Sequence, residues 1–173
     1  MAKYKQGTAV ALIPDYKTIE WHHAREEFVA NELFGKAPYV KGARAEVNGH
    51  KVWAIWTRVF GTGDMINTKG NTLHILRILV EEAPLDIDSS DFHPDHIAGI
   101  ASVLRVAQKE AAEWHMHEIE IWNPHPRTLA AAQSVDPTCQ LIHRDSESIA
   151  SLKWYGDSDV SVDWLEADKS GWC

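Results

Sequence analysis

The sequence predicts a mixed α/β domain, and three observations predict it. Apolar residues alternate in short strand-like runs near 8–13, 43–60 and 71–82. They recur at helical spacing over 96–114, and a second helical stretch over 16–34 opens behind a capping residue. The antiparallel signals come first and a strand–helix–strand unit comes later, so the sheet must hold both strand directions.

The elements follow in order. Thr8 to Ile13 reads as a short strand stopped by Pro14. Asp15 suits a helix N-cap, and the helix runs from about 16 to 34, ending near Gly35. Ala43 to Val47 is a brief strand, Asn48-Gly49 a tight hairpin turn, and Lys51 to Phe60 the returning strand. Asn71 to Glu82 is the most apolar strand. Strict alternation puts Leu73, Ile75 and Leu79 on one face and Leu76, Ile78 and Val80 on the other. A strand apolar on both faces is central in its sheet. Residues 83–95 form an acidic loop with two prolines. The next helix spans about 96–114, with Ile100, Leu104, Ala107, Ala111 and Trp114 as its buried stripe. Residues 116–122 alternate as a strand, and 125–134 form a short helix. Two strands near 139–143 and 148–155 close the order, joined by Asp145-Ser-Glu147. The organisation expected is one domain over 1–156 and an acidic tail over 157–173.

Bulk properties exclude several functions. A net charge of −8 argues against a non-specific nucleic-acid binder, which carries a basic excess. No run approaches the roughly 18–20 apolar residues of a bilayer span, and Met1 to Gln6 lacks the apolar core of a signal peptide. With only Cys139 and Cys173, a disulfide framework is not expected, and the cytoplasm is the expected location. Eight tryptophans fit either an aromatic core or an aromatic-lined groove.

Two groups of residues point to chemistry. On the first helix Ile19, His22, Glu26, Ala30 and Leu33 fall within one arc of roughly 80°. His22 and Glu26 are i, i+4 neighbours there, readable as a base with its orienter or as a satisfied core pair. Trp21 and Phe28 lie on the opposite arc, so this helix is expected to be apolar on two sides and sandwiched. Ten histidines include the pairs His93-Pro-Asp-His96 and His115-Met-His117, but no third ligand is spaced to complete a recognised zinc motif, so no metal is expected.

The order of elements resembles the GNAT acyl-CoA N-acyltransferase fold. In that fold the central strand leads into a turn of pattern Arg/Gln-x-x-Gly-x-Gly/Ala at a helix start, where backbone N–H groups and the helix dipole hold a pyrophosphate. His96-Ile-Ala-Gly99-Ile-Ala101 aligns with that turn, with His96 in place of Arg or Gln. The resemblance implies that Leu79, Val80 and Glu81 present backbone groups to the acyl chain. It also implies that Glu81, at the strand end beside Glu82, is a candidate base, and that Asn123 contacts the cofactor. The fold's proton-donating tyrosine falls on Ala130, leaving Tyr16 and Tyr155 as other candidates.

Longer segments carry a closer likeness. Leu12-Ile-Pro-Asp15, Ile19 to Phe28, Trp53 to Val59, Asn71 to Arg77, Glu120 to Pro124, Ser148 to Gly156 and Trp172-Cys173 resemble the C-terminal part of the fungal lysine acetyltransferase-like proteins. That resemblance implies a fungal source and acetyl transfer from acetyl-CoA to a small amine, such as lysine or a fungal metabolite. Members of that family are about twice as long. The chain is therefore expected to be a stand-alone version, a fragment, or the partner of a separate GNAT-like half. A homodimer is a further expectation. Neither nucleic acid nor membrane is expected as a partner. Two other functions stay open: a non-catalytic GNAT-like binding domain, favoured by Ala130 and His96, and a scaffold recruited for other chemistry through His22 and Glu26.

Overall fold

The computed structural model describes residues 7–11, 15–81, 93–143, 153, 155–156, 161–165 and 169. Its elements are β1 (Gly7–Ala11), α1 (Tyr16–Phe34), β2 (Gly42–Val47), β3 (His50–Val59), β4 (Thr72–Val80), α2 (Pro94–Glu113), β5 (Glu118–Ile121), α3 (Pro126–Val135) and β6 (Ser161–Leu165). A four-stranded sheet runs β2-β3-β4-β5, and β1 pairs with β6 in a second sheet. The β2–β3 and β3–β4 pairs are antiparallel and β4–β5 is parallel, so the expected mixed sheet forms.

Local chemistry explains most boundaries. Asp15 Oδ1 accepts from the Thr18 N–H at 2.7 Å and opens α1, while Gly35 closes it at φ 66°. Asn48 and Gly49 both have positive φ, 49° and 88°, as a type I′ hairpin turn requires. Among the described residues, no helix is long and apolar enough to cross a membrane.

The core lies between the sheet and α2, with α3 packed on α2. Val52, Ala54 and Trp56 of β3 meet Ile100, Val103, Leu104 and Ala107 of α2. Gly99 makes the close approach possible. A Cβ there would stand 2.6 Å from Val52 Cγ2, inside contact distance, and Val52 is fully buried and β-branched.

The central strand departs from strict alternation. Trp56 pairs with Ile75 but its neighbour Ile55 pairs with Arg77, so Leu76 is an extra residue on β4. This bulge reverses the phase. Leu73 and Ile75 join the core before it, Ile78 and Val80 after it, and Leu79 is 45% exposed. Leu79 therefore does not share a face with Leu73 and Ile75; one extra residue flips every side chain beyond it.

Three other expectations change. Residues 139–143 form no strand, and the partner expected over 148–155 lies largely outside the described residues. The segment read as a tail contains β6, parallel to β1. Trp21 and Phe28 of α1 are 46% and 68% exposed, so no described residue sandwiches that side.

Where β2 ends, α1 takes over. The last β2-side contact is the Trp56 N–H donating to the Lys41 carbonyl. Beyond it His23 Nε2 donates to the Trp56 carbonyl at 3.1 Å, and Glu26 Oε1 accepts from the Arg58 N–H at 2.9 Å. Side chains of a helix thus complete a strand edge that would otherwise be bare. The Arg58 side chain is wholly buried and also donates to Glu26 Oε1 (2.8 Å), to Glu110 and to the Val40 carbonyl. Lys41 holds the other Glu26 oxygen. Lys41 also pairs with the more exposed Glu27 at 3.5 Å. Burial pushes the Glu110 carboxyl up, and Arg58 opposes that rise.

Two stability outcomes follow. Arg58→Ala strands Glu26 and Glu110 and should cost about 3–5 kcal/mol in urea unfolding. Arg58→Lys should recover only part, because one ammonium cannot span the forked partners. Gly99→Ala should destabilise by about 1–2 kcal/mol, since overpacking outweighs the gain in helix propensity. Val52→Ala in the same chain should remove that penalty; simple additivity would show that Val52 is not the obstacle.

Candidate functional site

The sheet opens where the bulge stands. Pairing of β4 with β5 covers only Thr72–Ile75 against Glu118–Ile121. The next residue of β4 is Leu76, and β4 continues to Val80 while still paired to β3. Bulges increase twist and bend a strand. Among the described residues, Leu76 to Val80 therefore has no neighbouring strand on its β5 side.

A polar pair stands at the base of this mouth. His74 lies opposite Glu120 across the β4–β5 pair, with Nδ1 3.3 Å from Oε2. Glu120 also accepts from Trp122 Nε1 at 3.4 Å. Since Ile119 and Ile121 pack on the α2 core, Glu120 faces the other side of the sheet. His74 is buried while Glu120 stays accessible. Asn123 follows at φ 45°, exposed, where the chain turns out of β5 toward α3.

The start of α2 forms a second cluster. His93 caps the helix, its Nδ1 accepting from the Asp95 N–H at 3.3 Å, and the N–H groups of His96 and Ile97 turn back to the His93 carbonyl. The hairpin tip docks here, with Asn48 Nδ2 donating to Asp95 Oδ1 at 3.1 Å. It delivers His50, whose Nδ1 is 3.1 Å from His96 Nε2. Burial first, then the neighbouring charges of His50 and Arg127, pulls the His96 imidazole down. Burial also lowers Arg127, in the first turn of α3. His125 is lowered by its own burial first and by the Arg127 charge second. Among the described residues no carboxylate pairs with Arg127. Besides this guanidinium and the α2 N-terminus, Arg77 lies on β4 itself and Lys169 Nζ stands 4.5 Å over the Trp122 ring.

The residues expected from sequence fall into three places. Leu79 and Val80 lie on that part of β4, Leu79 outward and Val80 inward. Glu81 directly follows β4, but its carboxylate accepts from Trp53 Nε1 and pairs with Lys51 at 3.6 Å, as a solvated strand end does. His96 belongs to the α2 start, whereas Gly99 and Ala101 sit inside the helix, buried against the core. The glycine serves packing on Val52. His22 and Glu26 are buried on α1: the His22 carbonyl accepts from Thr57 Oγ1, and both Glu26 oxygens are held by Arg58 and Lys41. The crevice beside Glu26, lined by Arg25, Val29 and Phe60, has room for about one water. Glu26 is thus a structural carboxylate. Tyr16 and Tyr155 are exposed; Tyr16 donates to Glu20, and Lys153 lies over the Tyr155 ring.

Sequence reasoning missed His74, Glu120, Arg127 and the Leu76 bulge. The first two sit on different strands, and no local spacing marks a cross-strand pair. The bulge had a faint signal: the apolar run from Leu73 to Val80, interrupted only by His74 and Arg77, hides a change of phase.

No curated protein matches the chain. Among solved structures, the crystal structure of a point mutant of TTHA1254 from Thermus thermophilus is similar at 13% identity and a TM-score of 0.42, covering 74% of this chain and 94% of that one. A family model described as the LYC1 GNAT-like C-terminal domain matches residues 1–173. The chain belongs to the LYC1 GNAT-like C-terminal domain family, within the GNAT-like acyltransferase superfamily.

Proposed function

We propose that the chain is an acyl-CoA-dependent N-acyltransferase that moves an acetyl group from acetyl-CoA to a small amine such as lysine. The observation that carries this reading is the parting of β4 from β5 after Ile75, which among the described residues leaves no strand beside Leu76 to Val80. An extended arm bearing amide groups can add to such a segment as a further strand, through main-chain hydrogen bonds. The residues present fit that ligand. Among the described residues no strand lies beside that part of β4, and Arg127 with the α2 N-terminus offers positive charge for phosphates.

Acyl-CoA supplies an activated thioester when bound. The chain's own part is to position and to move protons. The backbone of Leu76 to Val80 would orient the acyl arm. His74, oriented by Glu120, would take the proton that the amine nitrogen sheds as it bonds to the acyl carbon and the carbon–sulfur bond breaks. No hydroxyl stands at Ala130 to protonate the leaving thiolate, so solvent would supply that proton. Acidic Glu118 and Glu120 on the outer face suit a cationic amine. A second reading, a domain that binds acyl-CoA without turnover, is favoured by Ala130 alone.

Acetyl-CoA at about 100 times its Kd should add about 2.7 kcal/mol of stability. For a domain of this size that raises Tm by roughly 5–10 °C. No rise would remove acyl-CoA from the function. With lysine or another small amine as acceptor, His74→Ala and Glu120→Gln should lower kcat by about 10²–10⁴-fold while leaving the acetyl-CoA shift in place. Unchanged turnover would exclude the pair as base, and a shift with no turnover in the wild type would select the binding domain.

A further inference from the structure

We propose that His50, His93 and His96 form a binding site for a divalent transition metal of the zinc type. One ring nitrogen from each of the three lies within 4.8 Å of those of the other two. The rings are mutually close, with centroids 4.5, 4.7 and 5.2 Å apart. His50 Nδ1 and His96 Nε2 are separated by 3.1 Å. Two imidazoles on one tetrahedral zinc, at about 2.0–2.1 Å each, place their nitrogens roughly 3.3 Å apart. A simple hydrogen bond would explain that pair, but it would not call for a third ring beside it.

The three ligands have rigid anchors. His93 is the N-cap of α2 and His96 lies three residues on, so the helix start projects both from one side. His50 is the first residue of β3, directly after the type I′ turn. That hairpin is tied to α2 by Asn48 on Asp95 and by the packing of Val47 and Val52 over Gly99. The spacing His93-Pro-Asp-His96 alone lacks a third ligand; tertiary structure supplies it from a residue 46 positions away from His96.

Asp95 completes the surroundings. Its Oδ2 is 3.6 Å from His93 Nδ1. Ligation through His93 Nε2 puts the proton on Nδ1, which then gives up the Asp95 N–H and donates to that carboxylate instead, the arrangement that orients metal-bound histidines. Three protein nitrogens leave one coordination position for water or an exchangeable anion. The helix N-terminus and Arg127 add positive potential nearby, which weakens binding of the bare cation and favours an anionic fourth ligand. Neutral imidazoles at this spacing select zinc, cobalt, nickel or copper over calcium or magnesium, which prefer oxygen.

Cobalt titration of untagged, chelator-dialysed protein tests the site. One Co2+ per chain should bind with the strong visible ligand-field absorption of four-coordinate cobalt, and Zn2+ should bleach it. His50→Ala, His93→Ala and His96→Ala should each weaken Co2+ binding by at least about 10-fold. His115→Ala and His117→Ala should leave it unchanged. Where His50→Ala melts early without metal, His50→Gln keeps a polar side chain and tests the same ligand. Absence of the absorption at stoichiometric Co2+, or wild-type affinity in both His50 variants, would overturn the proposal. Neither readout involves acyl-CoA, so its outcome is separate from the transferase reading.

Discussion

The buried Arg58–Glu26 pair is the constraint on which the rest of the structure depends. Arg58 carries a backbone N–H that β2 is too short to reach and a guanidinium that no water can solvate. One carboxylate oxygen of α1 answers both. The same guanidinium reaches Glu110 on α2 and the carbonyl of Val40. Two helices, a strand and a connecting loop thereby share one set of charges. A low-dielectric interior makes each of those contacts strong and each loss severe. The apolar core could tolerate small shifts of α1; this network cannot, because its hydrogen bonds are directional. The position of β3, and hence of β4 beside it, follows from it.

Much of the fold was legible because its signals are local. Asp15, Gly35 and Asn48-Gly49 mark their boundaries through chemistry that acts within four residues. The stripe from Ile100 to Trp114 reports a buried helix face without reference to anything beyond the helix. Strand direction also followed, since a hairpin must be antiparallel and a strand–helix–strand unit parallel. The misses were non-local. Alternation puts Leu79 on the wrong face because a bulge is a relation between two strands. Residues 139–143 have strand-like composition but make no ladder among the described residues, and propensity without a partner does not make a strand. Residues 161–165 fall in the stretch read as an acidic tail, yet they pair with the first strand.

The site was less legible than the fold for the same reason. Glu26 looked like a base because its own helix shows only His22 as a neighbour; Arg58 and Lys41 arrive from elsewhere and occupy it. Gly99 looked like a phosphate turn because a glycine near a helix start has that use, but here its missing Cβ serves the contact with Val52. His74 and Glu120 are inconspicuous in sequence and become a pair only when β4 and β5 align. The likeness to a known family reached the right superfamily because it drew on long segments, whereas individual residue roles depend on contacts that such segments do not encode.

The bulge at Leu76 has one more consequence. It behaves as a frame shift in the pattern of side chains, with β3 as the unshifted reference. Val52, Ala54 and Trp56, the even positions of β3, join the core, while β4 uses odd positions before Leu76 and even ones after it. The outer half of β4 is thus in phase with β3 only because one residue stands without a partner. A chain lacking Leu76 would keep Ile78 and Val80 inward, since the deletion itself restores the alternation. It would also straighten β4 and remove the bend that parts it from β5. The core and the mouth therefore make different demands on this segment: the core is satisfied by either length, and only the longer one parts β4 from β5.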